Sequence, residues 1–160
     1  MVYQVRRLLV SPLFQEWKAK NPEAYLTHIF YMTEMEPQVG YYDQILDKIT
    51  TFTMADEITR NPEQQVFKKE DTIRPLLIND VEQSTMRIIE KARTFQEEKY
   101  KKENVVKEII LLQNLDIGQV YNVTFITDSF KILNMKICAK RGDVLQHEFR
   151  SLMDLGKKTE

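Results

Sequence analysis

A chain of 160 residues with 23 Lys plus Arg against 24 Asp plus Glu, one Cys, two His and four Gly excludes several kinds of protein at once. A formal charge of −1 leaves no surplus of cations for phosphates, so no nucleic acid is expected as a partner. Cys138 alone makes no internal disulfide or multi-Cys zinc site, and 42% hydrophobic with 29% charged residues suit a folded domain better than a disordered chain or a membrane protein.

Residues 1–10 carry only Leu8-Leu9-Val10 as an apolar run, and the longest run elsewhere is Ile109 to Leu112. A signal peptide needs roughly 7–15 apolar residues and a membrane helix about 20, so neither secretion nor membrane insertion is expected and the cytoplasm is the default. Ser11-Pro12 predicts a helix start, with Leu13, Phe14 and Trp17 as its apolar stripe and an end near Asn21-Pro22. The aromatic and β-branched run from Ala24 to Thr33 predicts a strand covered on both faces. Gln38 to Asp43 and Lys48 to Met54 predict two more strands, joined by a hairpin connection at 43–48.

Residues 55–79 hold Pro62 and Pro75, many charges and scattered apolar residues such as Ile58, Val66 and Phe67, and predict a wrapping segment, functional loop or linker. Asp80 followed by Gln83 resembles a capping box, and Val81, Thr85, Ile88, Ile89, Ala92 and Phe95 extend a long helix over about 80–102. Its six acids, counting Glu103 just beyond, and six bases are mixed, as on a solvated face. Strands are then predicted over Val105 to Asn114, Gln119 to Thr127, Lys131 to Ala139 and Val144 to Phe149, whose short turns favour an antiparallel meander laid on the long helix. The tail from Gly156 is expected to fray.

The fold class expected is therefore α+β: an antiparallel sheet of six to seven strands against one long helix, with a short N-terminal helix. Residues 1–160 are read as a single domain. The alternative is two parts, 1–54 and 80–150, joined by 55–79. Laying Tyr42–Thr50 over Ile137–Leu145, which sets Phe30 over Phe125, raises a duplication against the plainer account of two similar hairpins.

The second half, about 80–149, resembles the PepSY-type domain and, more broadly, the cystatin-like helix-on-sheet arrangement. The resemblance rests on a long helix, a strand with Tyr121-Asn122-Val123, and the hairpin Lys136 to Leu145. Ala139, Gly142, Val144 and Leu145 match the family's hairpin, while Cys138 replaces the usual Asp and Arg141 the usual Thr or Asn. The resemblance implies a non-catalytic binding or regulatory module, in some members proposed to restrain peptidases and usually outside the cytoplasm. In physical terms, Gly142 supplies the positive φ of a tight turn.

Chemistry is sparse. Gly40, Gly118, Gly142 and Gly156 never fall together in one loop, which removes phosphate-cradling motifs. His28 and His147 are read as unrelated sheet histidines rather than metal ligands. Cys138 is read as a packed strand residue, with His147 diagonal to it at best, and Glu108 and Glu148 as acids pointing to solvent. No catalytic, cofactor or metal site is assigned, and an enzyme is disfavoured without being excluded.

The positive feature is aromatic. Tyr25, Tyr31, Tyr41 and Tyr42, with Phe30 and Phe52, fall on neighbouring strands. Strict alternation sets Tyr25, Thr27, Ile29 and Tyr31 on one face of the first strand and Leu26, His28, Phe30 and Met32 on the other. The four tyrosines are the candidate interaction surface if one face is uncovered, for a protein or peptide or a second copy of the chain. The plainer expectation is that the long helix or the 55–79 segment covers them. A third reading is a ligand pocket between helix and curved sheet.

Overall fold

The computed structural model describes residues 1–66 and 72–156. The expectations for Phe67 and for the tail beyond 156 lie outside these residues. The element order is α1 (Val2–Leu9), α2 (Pro12–Lys20), β1 (Tyr25–Met32), β2 (Gln38–Asp43), β3 (Lys48–Met54), β4 (Ile58–Arg60), β5 (Gln64–Gln65), a 3₁₀ turn at Ile78–Asp80, α3 (Thr85–Lys99), β6 (Val105–Leu115), β7 (Gly118–Thr127), β8 (Lys131–Cys138), β9 (Val144–Ser151) and α4 (Leu152–Leu155).

The fold is α+β, built on a 9-stranded sheet in the order β4-β3-β2-β1-β6-β7-β8-β9, with β5 also paired to β3. All of its strand pairs are antiparallel. The count exceeds the expected six to seven because β4 and β5 form inside the 55–79 segment, where few apolar residues announce them. Each part of the chain supplies a helix followed by a four-strand meander, and the first strands, β1 and β6, pair with one another along His28–Met32 and Gln113–Ile109. Topology thus makes β2–β3 equivalent to β7–β8. The sequence overlay of Tyr42–Thr50 on Ile137–Leu145 sets it against β8–β9 instead, one strand out of step.

Helix ends follow side-chain chemistry. The Ser11 hydroxyl accepts from Phe14 N at 3.2 Å, as Ser-Pro predicted, and Ser84 rather than Asp80 caps α3 by accepting from Arg87 N at 3.3 Å. The Asp80 signal fails because Asp80 closes the 3₁₀ turn and the chain then runs extended from Val81 to dock, with Glu82 N and Gln83 N both donating to Ala139 O. α1 escaped the sequence reading; it buries Val5 and Leu8, one turn apart, and sends Arg7 to the carbonyls of Met54, Ala55 and Asp56.

One hydrophobic core joins helices and sheet. Phe14 and Trp17 of α2 meet Tyr41 and Phe52 with ring centroids 4.9–6.3 Å apart, and Ile88 and Ala92 of α3 join Val123, Phe125, Leu133 and Met135 in the same cluster. The sheet residues of this cluster share one parity along each strand, so the helices line a single face. The helices therefore cover β1 on one face only, while on its other face Tyr25 is held by Ile73, His28 lies across Gly40, and Phe30 and Met32 are half-buried. A bulge between Leu26 and His28 also breaks the strict alternation expected of it. Leu26 joins Ile29 and Tyr31 on the helix side, whereas Tyr25 turns away and meets Tyr42 edge-on at 5.6 Å.

The bulge is locked by Thr27, whose hydroxyl donates to Gly40 O at 3.2 Å and lies 2.8 Å from His28 Nδ1. The His28 ring lies across Gly40, where an added Cβ would stand 2.0 Å from its Cε1. Gly40→Ala should destabilise the fold by about 1–3 kcal/mol in urea unfolding. The double variant Gly40→Ala/His28→Ala should recover most of that loss, and a non-rescuing double variant would show the clash is not with this ring.

Candidate interaction face

Among the described residues, the core side chains of α1, α2 and α3 all pack on one face of the sheet. On the other, cross-strand register places Phe30 beside Leu111, Met32 beside Ile109, and Ile126 beside Ile132, all half-buried. Toward β9 the face turns polar. Asn134 Nδ2 donates to Asn122 Oδ1 at 2.6 Å and to Thr124 Oγ1 at 2.8 Å, Lys136 donates to Gln146, and Glu148 pairs with Arg150. The result is an apolar strip over the centre of the sheet with an ordered polar flank.

The predicted tyrosines do not form one exposed patch. Tyr41 is buried under α2, and burial pushes its hydroxyl up to about 12. Tyr42 is also buried, donating to Asp47 at 2.5 Å, and Tyr31 packs against the core. Tyr25 is half-buried and donates to Ile73 O at 2.7 Å, so a strap from the 55–79 segment does hold it. The covering of Tyr41 comes from the short helix α2, whose reach the sequence did not reveal. Non-tyrosine neighbours, Phe30 and Met32 with β6 and β7, form the open strip instead.

His28 and His147 stand on opposite faces, in a central and an edge strand. His147 sits opposite Met135 on the helix side, against Phe95 at 4.9 Å. Cys138 is buried on the other side of the sheet from His147, its Sγ taking Arg141 N at 3.5 Å. Glu108 does not point to solvent: its side chain is 16% exposed and accepts from Arg93 Nε and Nη2 at 3.0 and 2.8 Å. Glu148 is exposed on the open face. Gly142 takes a φ of 81°, and Lys91 Nζ holds its carbonyl at 2.9 Å, tying the β8–β9 hairpin to α3. Glu103 is held below the usual carboxylate range by hydrogen bonds from Lys131 and Ser129.

Between α3 and the sheet, Ile110, Leu112, Val123, Phe125, Leu133 and Met135 are fully withdrawn from solvent, while a cavity of ≈ 470 Å³ opens at the margin between α3 and Gly142 and Val144. Among the described residues, no helix is long and apolar enough to cross a membrane.

The sequence reading missed Phe130. It tips the β7–β8 hairpin, 70% exposed and at a φ of 59°, a conformation that favours glycine. Met153, 77% exposed, follows Leu152, whose N–H donates to Phe130 O. A bulky aromatic that is both strained and wet lowers stability, and such positions point to function. A φ > 0 at the tip was detectable only as a turn without its glycine.

No family model matches the chain, and no curated protein matches its sequence. Among solved structures, a candidate lipoprotein from Clostridium difficile 630 is similar, with a TM-score of 0.55 over 86% of this chain and 90% of that one at 13% sequence identity. At that identity the likeness shows a shared α+β fold and nothing further.

Two measurements follow from these side chains. Phe130→Gly should raise stability by about 0.5–1 kcal/mol, because glycine relieves the left-handed strain; a destabilised variant would mean the ring contributes packing. Burial pushes His28 down from 6.5 to about 4. Between those values the unfolded chain binds a proton the folded one refuses, so stability is full above about pH 6.5 and falls by about 2–3 kcal/mol as pH drops toward 4. His28→Gln should flatten that slope in urea unfolding at pH 7 and 4.5.

Proposed function

We propose that the chain is a non-enzymatic binding or regulatory module, of the PepSY-like or cystatin-like kind, that works in the cytoplasm and grips a protein or peptide with its open sheet face. The observation that carries this reading is the strip Phe30, Leu111, Met32, Ile109, Ile126 and Ile132, left half-buried on a sheet whose other face holds all the core helices. Apolar surface of this kind, rimmed by satisfied polar groups, is what a partner covers. Phe130 at the margin suits an anchor, since large aromatics dominate binding energy at interfaces. The single Cys138 suits a reducing compartment.

The test is affinity capture from the source cell, with the wild type and Leu111→Asp compared side by side and light scattering for self-association. A partner or second copy held by the wild type should be lost from Leu111→Asp, and Phe130→Gly should weaken it while melting higher. A retained partner on Leu111→Asp would move binding off this face.

A further inference from the structure

At the β6–β7 turn the open face ends in a cavity of ≈ 290 Å³ lined by Arg74, Asn114, Leu115, Asp116, Lys136 and Gln146. Its walls come from the strap, the β6–β7 turn and the facing strands β8 and β9, and the strap is held to the sheet. Leu76 N donates to Leu26 O at 2.8 Å, Asn114 Nδ2 to Pro75 O at 2.9 Å, and the Gln119 amide both accepts from and donates to the backbone of Leu77. The strap carrying Arg74 is thereby sewn to β1, β6 and β7.

The charges do not balance. Arg74 Nη2 pairs with Asp116 at 2.7 Å and is 47% exposed, which leaves most of its N–H donors open. Across the cavity, Lys136 reaches only the neutral Gln146 Oε1 at 3.3 Å, and no carboxylate pairs with it among the described residues. Glu148, the acid on the neighbouring strand, is taken by Arg150. Lys136 stands opposite Asn122, itself opposite Leu111, so the cavity continues the apolar strip.

From this geometry we infer that the Arg74–Lys136 cavity receives a carboxylate side chain of the protein segment that covers the open face, making the face selective for an acidic partner. The inference rests on the binding reading above and adds the partner's chemistry. An ammonium and a guanidinium with free donors suit a carboxylate by charge-assisted hydrogen bonds, and the strap that carries Arg74 is already held to the sheet by its backbone. The cavity volume accommodates one side chain, while Leu111 and Phe30 accept its apolar neighbour. Nucleic acid fits less well, since these cations are few and set beside an apolar strip.

The test uses the full chain, immobilised, and a phage-displayed library of random peptides. Enriched peptides should carry Asp or Glu next to a large apolar residue. Their synthetic forms should bind Lys136→Glu about tenfold or more weakly, with Lys136→Met, which keeps the apolar stem, intermediate; thermal melting verifies that each variant folds. A consensus without an acid, or equal binding to Lys136→Glu, overturns the carboxylate site. Leu111→Asp separates the two readings: if it abolishes binding while Lys136→Glu does not, only the carboxylate site falls, and if it changes nothing, the face reading falls with it. A library that yields no enriched peptide counts against both.

Discussion

Antiparallel pairing of β1 with β6 joins two meanders into one sheet, and most of the architecture follows from it. The meander β4-β3-β2-β1 and the meander β6-β7-β8-β9 meet at Ile29, Phe30 and Tyr31 opposite Leu112, Leu111 and Ile110. Since side chains alternate across a strand, this register commits Ile29 and Leu112 to one face and Phe30 and Leu111 to the other. Helices α1, α2 and α3 then share the first face with a common core. A slip of one residue would invert one meander and strand its helix layer on the wrong side.

Placing the core helices on one face also explains the polar pattern. On the helix side the polar groups near the core edge are recruited locally: Glu108 by Arg93, Gln96 by the carbonyls of Tyr100 and Glu103. On the opposite face, Asn122, Thr124 and Asn134 satisfy one another in a plane across the strands. Such a network keeps donors and acceptors from competing for a docking surface, and it holds the flank rigid.

Much of the fold could be read in the residues. Alternation and turn chemistry located β1, β2, β3 and the four strands of the second meander, because their apolar parity is regular and their connections carry Gly118, Gly142 or Asp43, whose carboxylate accepts from Ile45 N and Leu46 N. β4 and β5 were illegible since so short a strand carries no periodic signal, and the Asp80–Gln83 spacing drew the helix start four residues ahead of Ser84, which caps it. The site was less legible. A single bulge at Thr27 reversed Tyr25 relative to Ile29, and no local pattern in the sequence announces it. Lys136 and Arg74 are far apart in the chain and come to line one cavity only once the strap docks, so no spacing motif could have paired them.

The two lateral ends of the sheet differ in kind. At one end lie β4 and β5, 3 and 2 residues long, with Pro62 between them. At the other, β9 offers 8 residues, interrupted by a bulge near Leu145 and flagged by Glu148 and Arg150. Unpaired strand edges invite further strands, and short segments, bulges and charges are the means by which proteins stop that growth. The sheet is thus closed to extension by brevity on one side and by charge and irregularity on the other. Its broad surface is left as the place where another molecule meets it, with the backbone edges defended against uncontrolled stacking.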